Sequence, residues 1–185
     1  MKKIEFNLYN VKKVHFGFGK IKNLNQILNK NIKFNYLFII DSFFKKKKVI
    51  KTIELKKKNK IFFIDTKNEP TTFGIDSLLK RVKKLRIKFH KVIGIGGGST
   101  LDTAKAISNL LSNSGSSRKY QGWDLLKKKG IYKIGIPTIS GTGAETSKTC
   151  VLIDYKSGKK LGMNSEYSVF DEIILDPDLT NTVNK

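Results

Sequence analysis

The sequence predicts an α/β protein, a parallel sheet with helices on both faces, and three observations predict it. Short, mostly apolar runs recur at residues 36–40, 61–64, 91–95 and 132–136, and continuous runs of this length read as strands buried on both sides. Between the second and third runs, Ile75, Leu78, Leu79, Val82 and Leu85 fall at spacings of three and four, one apolar stripe of a helix. After the third run a glycine turn opens onto Leu101, Ala104, Ile107 or Ser108, and Leu111, a second stripe. Strands alternating with helices give a parallel sheet.

The other elements follow in order. Residues 4–18 alternate loosely and predict an N-terminal strand or hairpin. The lysine-rich segment 43–55 predicts a weaker helix with Phe43, Ile50 and Ile53 inward. Residues 115–119 form a polar loop, the best candidate for a mobile one. Residues 150–153, a turn at Ser157-Gly158 and residues 161–163 read as a second hairpin. Ile173-Ile174-Leu175 is a late strand stopped by Asp176-Pro177. No internal repeat is present.

Bulk properties narrow the class. A chain of 185 residues can bury a full core, and the prior favours one domain. The single cysteine, Cys150, allows no intrachain disulfide, which fits a reducing compartment. The first residues are basic but lack an apolar stretch after them, so no secretory signal is expected. The longest apolar run near the front is too short to span a bilayer. A soluble cytoplasmic protein is expected, with no membrane partner. The net charge of +22 is nearly all lysine, in runs such as Lys45-Lys46-Lys47-Lys48 and Lys127-Lys128-Lys129. Arginine, the better fork for phosphate and base recognition, is scarce. The runs read as solvated helix faces with no nucleic-acid partner; a basic nucleic-acid-binding module is the competing class.

Two stretches carry chemistry. Gly94-Ile95-Gly96-Gly97-Gly98-Ser99 nearly fits the dinucleotide fingerprint, with serine in place of the third glycine. Such a turn lets backbone N–H groups approach a phosphate, and a helix N-terminus favours negative charge. The Ser99 hydroxyl can bond a phosphate or cap the helix. A tight turn without ligand is the plainer alternative, although three consecutive glycines exceed what a turn needs. Asp102, in the first helical turn, suits the helix dipole, and Lys105 reads equally well as a surface residue. Pro137-Thr138-Ile139-Ser140-Gly141-Thr142-Gly143-Ala144-Glu145-Thr146-Ser147 follows the fourth strand, at the carboxyl edge where ligands bind. Its hydroxyls can donate to phosphates and ribose, and Thr142-x-x-Glu145 can be a capping box. Asp41 ends the first buried strand. It can accept from a ribose diol, favouring NAD over NADP, or cap the segment that follows; both readings stay open. The glycine turn follows the third strand instead of the first, so a Rossmann-like variant is implied. His15 and His90 are far apart with no ligand spacing, so no metal site is read, and Cys150 reads as a buried core residue.

The pair Gly96-Gly97-Gly98-Ser99-x-x-Asp102-x-Ala104-Lys105 and Pro137-Thr138-x-Ser140-Gly141-Thr142-Gly143-x-Glu145 resembles the iron-containing alcohol dehydrogenase family. Val14-His15-Phe16-Gly17-Phe18-Gly19, Asn68-Glu69-Pro70-Thr71 and Asp176-Pro177-Asp178-Leu179-Thr180 agree with it, so the resemblance covers essentially the whole chain. It implies a dehydroquinate-synthase-like N-terminal domain. Asp41 would meet the adenosine ribose, Gly96, Gly97, Gly98 and Ser99 the pyrophosphate, and Thr138, Ile139, Ser140, Gly141 and Thr142 the phosphates and nicotinamide side. Asp102 belongs to the first motif, and Asn68, Val151, Lys160 and Leu179 match positions lining the cofactor groove. The family's metal, iron or zinc, is held in a helical C-terminal domain. The resemblance therefore implies that residues 1–185 are the dinucleotide-binding domain, with the metal domain absent and no catalytic or metal-binding residue in this chain. Tyr120-Gln121-Gly122-Trp123-Asp124-Leu125, then Tyr132 to Glu145, then Leu161-Gly162-Met163-Asn164-Ser165 resemble a subgroup of sugar-acid oxidases. That subgroup converts the C8 primary alcohol of 3-deoxy-D-manno-octulosonate, a lipopolysaccharide sugar, to an aldehyde. The alternatives are a general NAD-dependent alcohol dehydrogenase and a dehydroquinate-synthase-like enzyme. The family commonly dimerises through its N-terminal strands, which implies a homodimer for the intact protein.

Overall fold

The computed structural model describes residues 10–28, 34–51, 53 and 58–181. Its strands are β1 (Lys13–Phe16), β2 (Tyr36–Asp41), β3 (Lys60–Ile64), β4 (Lys91–Gly96), β5 (Gly122–Trp123), β6 (Tyr132–Pro137), β7 (Thr149–Asp154), β8 (Lys159–Asn164) and β9 (Glu172–Leu175). The helices are α1 (Leu24–Leu28), α2 (Lys48–Lys51), α3 (Thr72–Lys84) and α4 (Gly98–Ser112). Six strands form one sheet in the order β1-β9-β6-β4-β2-β3, every pair parallel. A smaller sheet, β5-β8-β7, joins the antiparallel hairpin β7–β8 to β5.

The apolar runs are buried on both faces because the sheet is covered on both. Successive residues of β2 divide between two cores, as the pleat requires. Leu37 and Ile39 face one cluster with Ile75, Leu79 and Val82 of α3, Leu101 and Ile107 of α4, and Cys150 of β7. Tyr36, Phe38 and Ile40 face the other, with Ile21, Leu24, Leu28, Phe44 and Ile53. This partition follows the connections. Those from β1 to β2 and from β2 to β3 run one way along the sheet, and their described core residues lie on the second face. Those from β3 to β4 and from β4 to β6 run back and lie on the first face. Parallel crossovers that share one hand must change face when they change direction.

Several expectations are corrected. Segment 43–55 is not one helix: a 3₁₀ turn covers Ser42–Lys46, followed by α2, with Leu55 outside the described residues. Phe44 is its inward aromatic, while Phe43 is half exposed and stacks edge-on against it. The tighter 3₁₀ winding rotates the next residue inward. Leu85 caps α3 and is 37% exposed instead of closing its stripe. The N-terminal element is a strand paired parallel to β9, with no hairpin partner among the described residues; residues 4–9 lie outside them. Loop 115–119 is tied down: Ser116 Oγ and the Ser117 N–H donate to the two oxygens of Asp76, at 2.5 and 2.8 Å, and Ser117 is fully buried. The 157–158 turn, the hairpin and the late strand stand as read.

β1 is held at the sheet edge by a polar knot. Glu172 on β9 is 3% exposed. Its carboxylate lies 2.5 Å from His15 Nε2 on β1, accepts from the Tyr132 hydroxyl at 3.0 Å and faces the Lys13 ammonium at 3.4 Å. Burial alone would raise this carboxyl, but the bonds from His15 and Tyr132 and the Lys13 charge hold it below its ordinary value. A depressed carboxylate stabilises the fold above the unfolded value and loses that contribution on protonation. Glu172→Gln should therefore cost about 1–3 kcal/mol at neutral pH. Its deficit relative to the wild type should shrink as pH falls below the ordinary glutamate value of 4.5. Urea unfolding of both proteins at neutral and acid pH checks this.

Candidate functional site

β2 leads to β3 on one side, whereas β4 leads to β6 on the other, so the direction of the sheet reverses between β2 and β4. In open α/β sheets a crevice opens at the carboxyl ends of such a strand pair. Asp41 stands at the end of β2 and Gly96 at the end of β4. Asp41 Oδ1 accepts from the Phe43 N–H at 2.9 Å, capping the 3₁₀ turn, and Oδ2 accepts from the Thr66 hydroxyl at 2.8 Å. The capping reading therefore holds. A carboxylate with one bond per oxygen still has lone pairs for a further donor.

The glycine turn passes β4 directly into α4. Gly96 has φ +156°, and a Cβ built there would stand 2.4 Å from Thr100 Oγ1. Gly97 is the N-cap residue of α4, with no side-chain cap bond. A Cβ on it would lie 2.8 Å from Ile139 Cδ1. The carbonyl of Gly97 accepts from the N–H groups of Thr100 and Leu101, both at 3.0 Å. The preceding N–H groups, at Gly98 and Ser99, belong to the first turn, where a helix supplies no partner. Ser99 is therefore inside the helix and is not its cap. The N-terminus of a fifteen-residue helix thus reaches the carboxyl edge of the sheet with glycine at its N-cap and first position, and Gly98 and Ser99 line a cleft there.

The second stretch stands over this turn. The N–H of Thr138, a buried residue, donates to the Gly96 carbonyl at 3.1 Å. The expected capping box is absent: the Thr142 hydroxyl accepts weakly from the Ala144 N–H at 3.4 Å, and no helix follows. The chain instead makes a turn in which the N–H groups of Thr146 and Ser147 donate to the Gly143 carbonyl.

Three clefts hold most of the sequence-predicted residues. One of about 310 Å³ brings together Gly98, Ser99, Asp102, Thr142, Val151 and Lys160. In it Asp102 Oδ2 accepts from the Val151 N–H at 3.0 Å, and Lys160 pairs with Glu69. Burial raises the Asp102 carboxyl above its ordinary value, against the Val151 bond and the Lys105 and Lys160 charges. A cleft of about 470 Å³ shares Glu69, Pro70 and Ser99 with the first and adds Asn68 and Thr66. A third, of about 270 Å³, holds Ile139, Ser140 and Gly141 beside Glu145 and Phe16. Asp41, Gly96, Gly97 and Thr138 line none of these three clefts, and Leu179 is buried in the second core cluster.

Sequence reasoning missed two buried lysines. Lys105 is fully buried in α4 and donates to the Ser147 carbonyl at 2.7 Å, Ser147 Oγ at 3.0 Å and the Thr149 carbonyl at 2.9 Å. Lys133, fully buried on β6, donates to the Tyr167 carbonyl at 2.7 Å, and burial pushes its ammonium down to about 8. The signal for Lys105 lay in its neighbours. Leu101, Ala104, Ala106, Ile107 and Leu110 cover more than one face of α4, so a lysine among them has nowhere exposed to go. Among the described residues no group of three or more His, Cys, Asp or Glu is placed to hold a metal ion, and no helix is long and apolar enough to cross a membrane.

The sequence matches a known family along most of the chain. The family model for iron-containing alcohol dehydrogenases matches residues 11–177, and the chain belongs to that family. A sulfoacetaldehyde reductase of Bilophila wadsworthia is 39% identical over 181 residues, 93% of this chain and 45% of that relative. A 1-propanol dehydrogenase of Salmonella typhimurium is 29% identical over 92% of this chain and 42% of its own length. The chain thus spans somewhat under half the length of these curated relatives. Among solved structures, the NADH-dependent butanol dehydrogenase A of Thermotoga maritima superposes with TM-score 0.82 at 25% identity, covering 97% of this chain and 46% of that one. A sulfoacetaldehyde reductase of Bifidobacterium kashiwanohense, solved with NAD⁺, shares the fold with TM-score 0.80 at 24% identity, covering 98% and 48%.

The passage from β4 to α4 has no room for a side chain at Gly96. Gly96→Ala should cost about 1–3 kcal/mol, from a strained backbone and the clash with Thr100. Thermal melting of the variant against wild type checks this, and an unchanged midpoint would contradict it.

Proposed function

We propose that this chain is the dinucleotide-binding half of an NAD-dependent alcohol dehydrogenase acting on a small alcohol or its aldehyde. The observation that carries the reading is the uncapped N-terminus of α4, opened by Gly96 and Gly97 where the sheet reverses direction. The residues fit a dinucleotide. Glycines leave the first-turn N–H groups uncovered for a diphosphate. Asp41 is placed one strand away with acceptor capacity for a ribose diol, which favours NAD over a 2′-phosphorylated cofactor. Ser99 and Thr142 flank the seat, and Val151, Asp102 and Lys160 line the cleft beyond it.

In this reading the dinucleotide, when bound, accepts or returns a hydride. The chain's own residues bind and orient it. The α4 N–H groups hold the diphosphate, Asp41 selects the ribose, and the Thr138–Thr142 segment closes the approach from above. The Lys160–Glu69 pair and Asp102 set the charge of the cleft. The family's iron, bound elsewhere in the whole enzyme, would polarise the alcohol oxygen; the described residues hold no ligand set for it, and no step here depends on one. Turnover is accordingly assigned to the whole enzyme and cofactor binding to this chain.

The named relatives, a sulfoacetaldehyde reductase and a 1-propanol dehydrogenase, support the general dehydrogenase reading over sugar-acid oxidation. Two of the stretches that resemble the sugar-acid oxidases also have plain structural work. Tyr120 is buried with its hydroxyl on the Ser114 carbonyl, and Gly122–Trp123 pairs with Met163–Asn164. Neither of these two lines the three clefts, whereas the stretch from Tyr132 to Glu145, which lines two of them, also carries the motif of the wider family.

Fluorescence titration of the 185-residue chain with NADH should saturate, with NADPH binding more weakly. Asp41→Ala should weaken NADH about tenfold or more, the loss of charge-assisted bonds to the ribose. No saturable NADH signal, together with DNA binding that falls steeply with salt, would instead support the basic nucleic-acid module.

A further inference from the structure

We infer that Lys105 is a positioning residue for the dinucleotide seat: its buried ammonium latches the Ser147–Thr149 segment to α4 and so fixes the height of the 138–146 loop above the glycine turn. The inference rests on the reading of that turn as the cofactor seat.

The loop between β6 and β7 is anchored at both ends to the same strand–helix unit. At its start the Thr138 N–H donates to the Gly96 carbonyl at 3.1 Å. At its far end the Lys105 ammonium, eight residues beyond Gly97 on α4, takes the Ser147 carbonyl, the Ser147 hydroxyl and the Thr149 carbonyl, at 2.7, 3.0 and 2.9 Å. The stretch between the anchors is the part that meets the turn. Ile139 would touch a Cβ on Gly97, and Thr142 stands 3.4 Å from where a Cβ on Gly98 would be. Its middle is looser, since Gly141 and Gly143 have positive φ and open space around them. Releasing the far anchor would therefore let Ile139 and Thr142 drift from the turn while β4 and α4 stay in place.

The chemistry of the latch explains why a lysine stands here. An ammonium has three donors and no acceptor, and all three are used on one short segment. A buried charge is costly unless it is surrounded by acceptors or opposite charge. Lys105 meets Asp102 from its own helix and Glu145 from the loop, Cys150 lies near it on β7, and Lys133 faces it from β6. Its ammonium also lies 5.4 Å from the Phe170 ring centroid. A plain core role would ask only for volume, which a methionine fills. The latch asks for donors.

The test compares three variants of the 185-residue chain, each at a temperature well below its own melting point. Lys105→Met should weaken NADH about tenfold or more, and Ser147→Ala, which removes one acceptor of three, about two- to fivefold. Leu110→Ala, a cavity in the same helix away from the loop, should lower the melting temperature but leave NADH affinity at the wild-type value. Amide hydrogen exchange at residues 138–148 should rise in Lys105→Met and not in Leu110→Ala. Wild-type affinity in Lys105→Met, or an equal loss in Leu110→Ala, would overturn the latch. If Lys105→Met does not fold, Ser147→Ala decides: unchanged affinity and unchanged exchange in the loop overturn it. If the wild type binds no NADH, the cofactor reading falls, while loop exchange in Ser147→Ala still tests the latch.

Discussion

Gly96 and Gly97 let β4 run straight into α4, and the geometry of the carboxyl edge depends on that junction. A side chain at the first would strike Thr100, and one at the second would strike Ile139. With neither present, a long helix points its unpartnered N–H groups at the place where the sheet reverses direction. The neighbouring parts are measured from the same point. Thr138 hangs from the Gly96 carbonyl, Asp102 holds the Val151 N–H of β7 from one turn into the helix, and Lys105 holds the start of β7 from the next. One strand–helix unit therefore carries the floor, the roof and one wall of the site.

The buried charges follow from this arrangement. Bringing the small sheet and the 138–148 loop onto α4 leaves carbonyls at Ser147 and Thr149 that no strand neighbour serves, and Lys105 serves them. On β6, Lys133 does the same for the Tyr167 carbonyl, while its N–H donates to Asp171. Each lysine is stabilised by bonds to backbone rather than by a single opposite charge. Such contacts fix position as well as energy, because a carbonyl bonded to a buried ammonium has few alternative places to sit.

Much of the fold was legible in the residues. The uninterrupted run at 36–40 and the mostly apolar one at 132–136 signal strands covered on both faces, and the spacing of Ile75, Leu78, Leu79 and Val82 signals a helix between them. The glycine turn and Asp41 stand at the carboxyl ends of neighbouring strands, as their places after two apolar runs indicated. What was not legible depended on distance or on local winding. The pairing of β1 with β9 joins residues about 160 apart in sequence and leaves no local trace. Phe44 replaces Phe43 as the inward aromatic because the segment winds as a 3₁₀ turn, a choice that apolar spacing does not register. Thr142-x-x-Glu145 has the letters of a capping box, but the chain turns back at Gly143 before a helix can start. Leu179 fits a family position yet points its side chain into the core.

The central claim, that the α4 N-terminus is the seat of a dinucleotide diphosphate, is tested most directly by amide chemical shifts of the isotopically labelled chain during an NADH titration. The account predicts saturable shifts centred on the Gly97, Gly98 and Ser99 amides, spreading to Thr142 and to the residues around Asp41. Binding that leaves the Gly97–Ser99 amides unmoved, or that moves mainly amides next to the lysine runs, would contradict it.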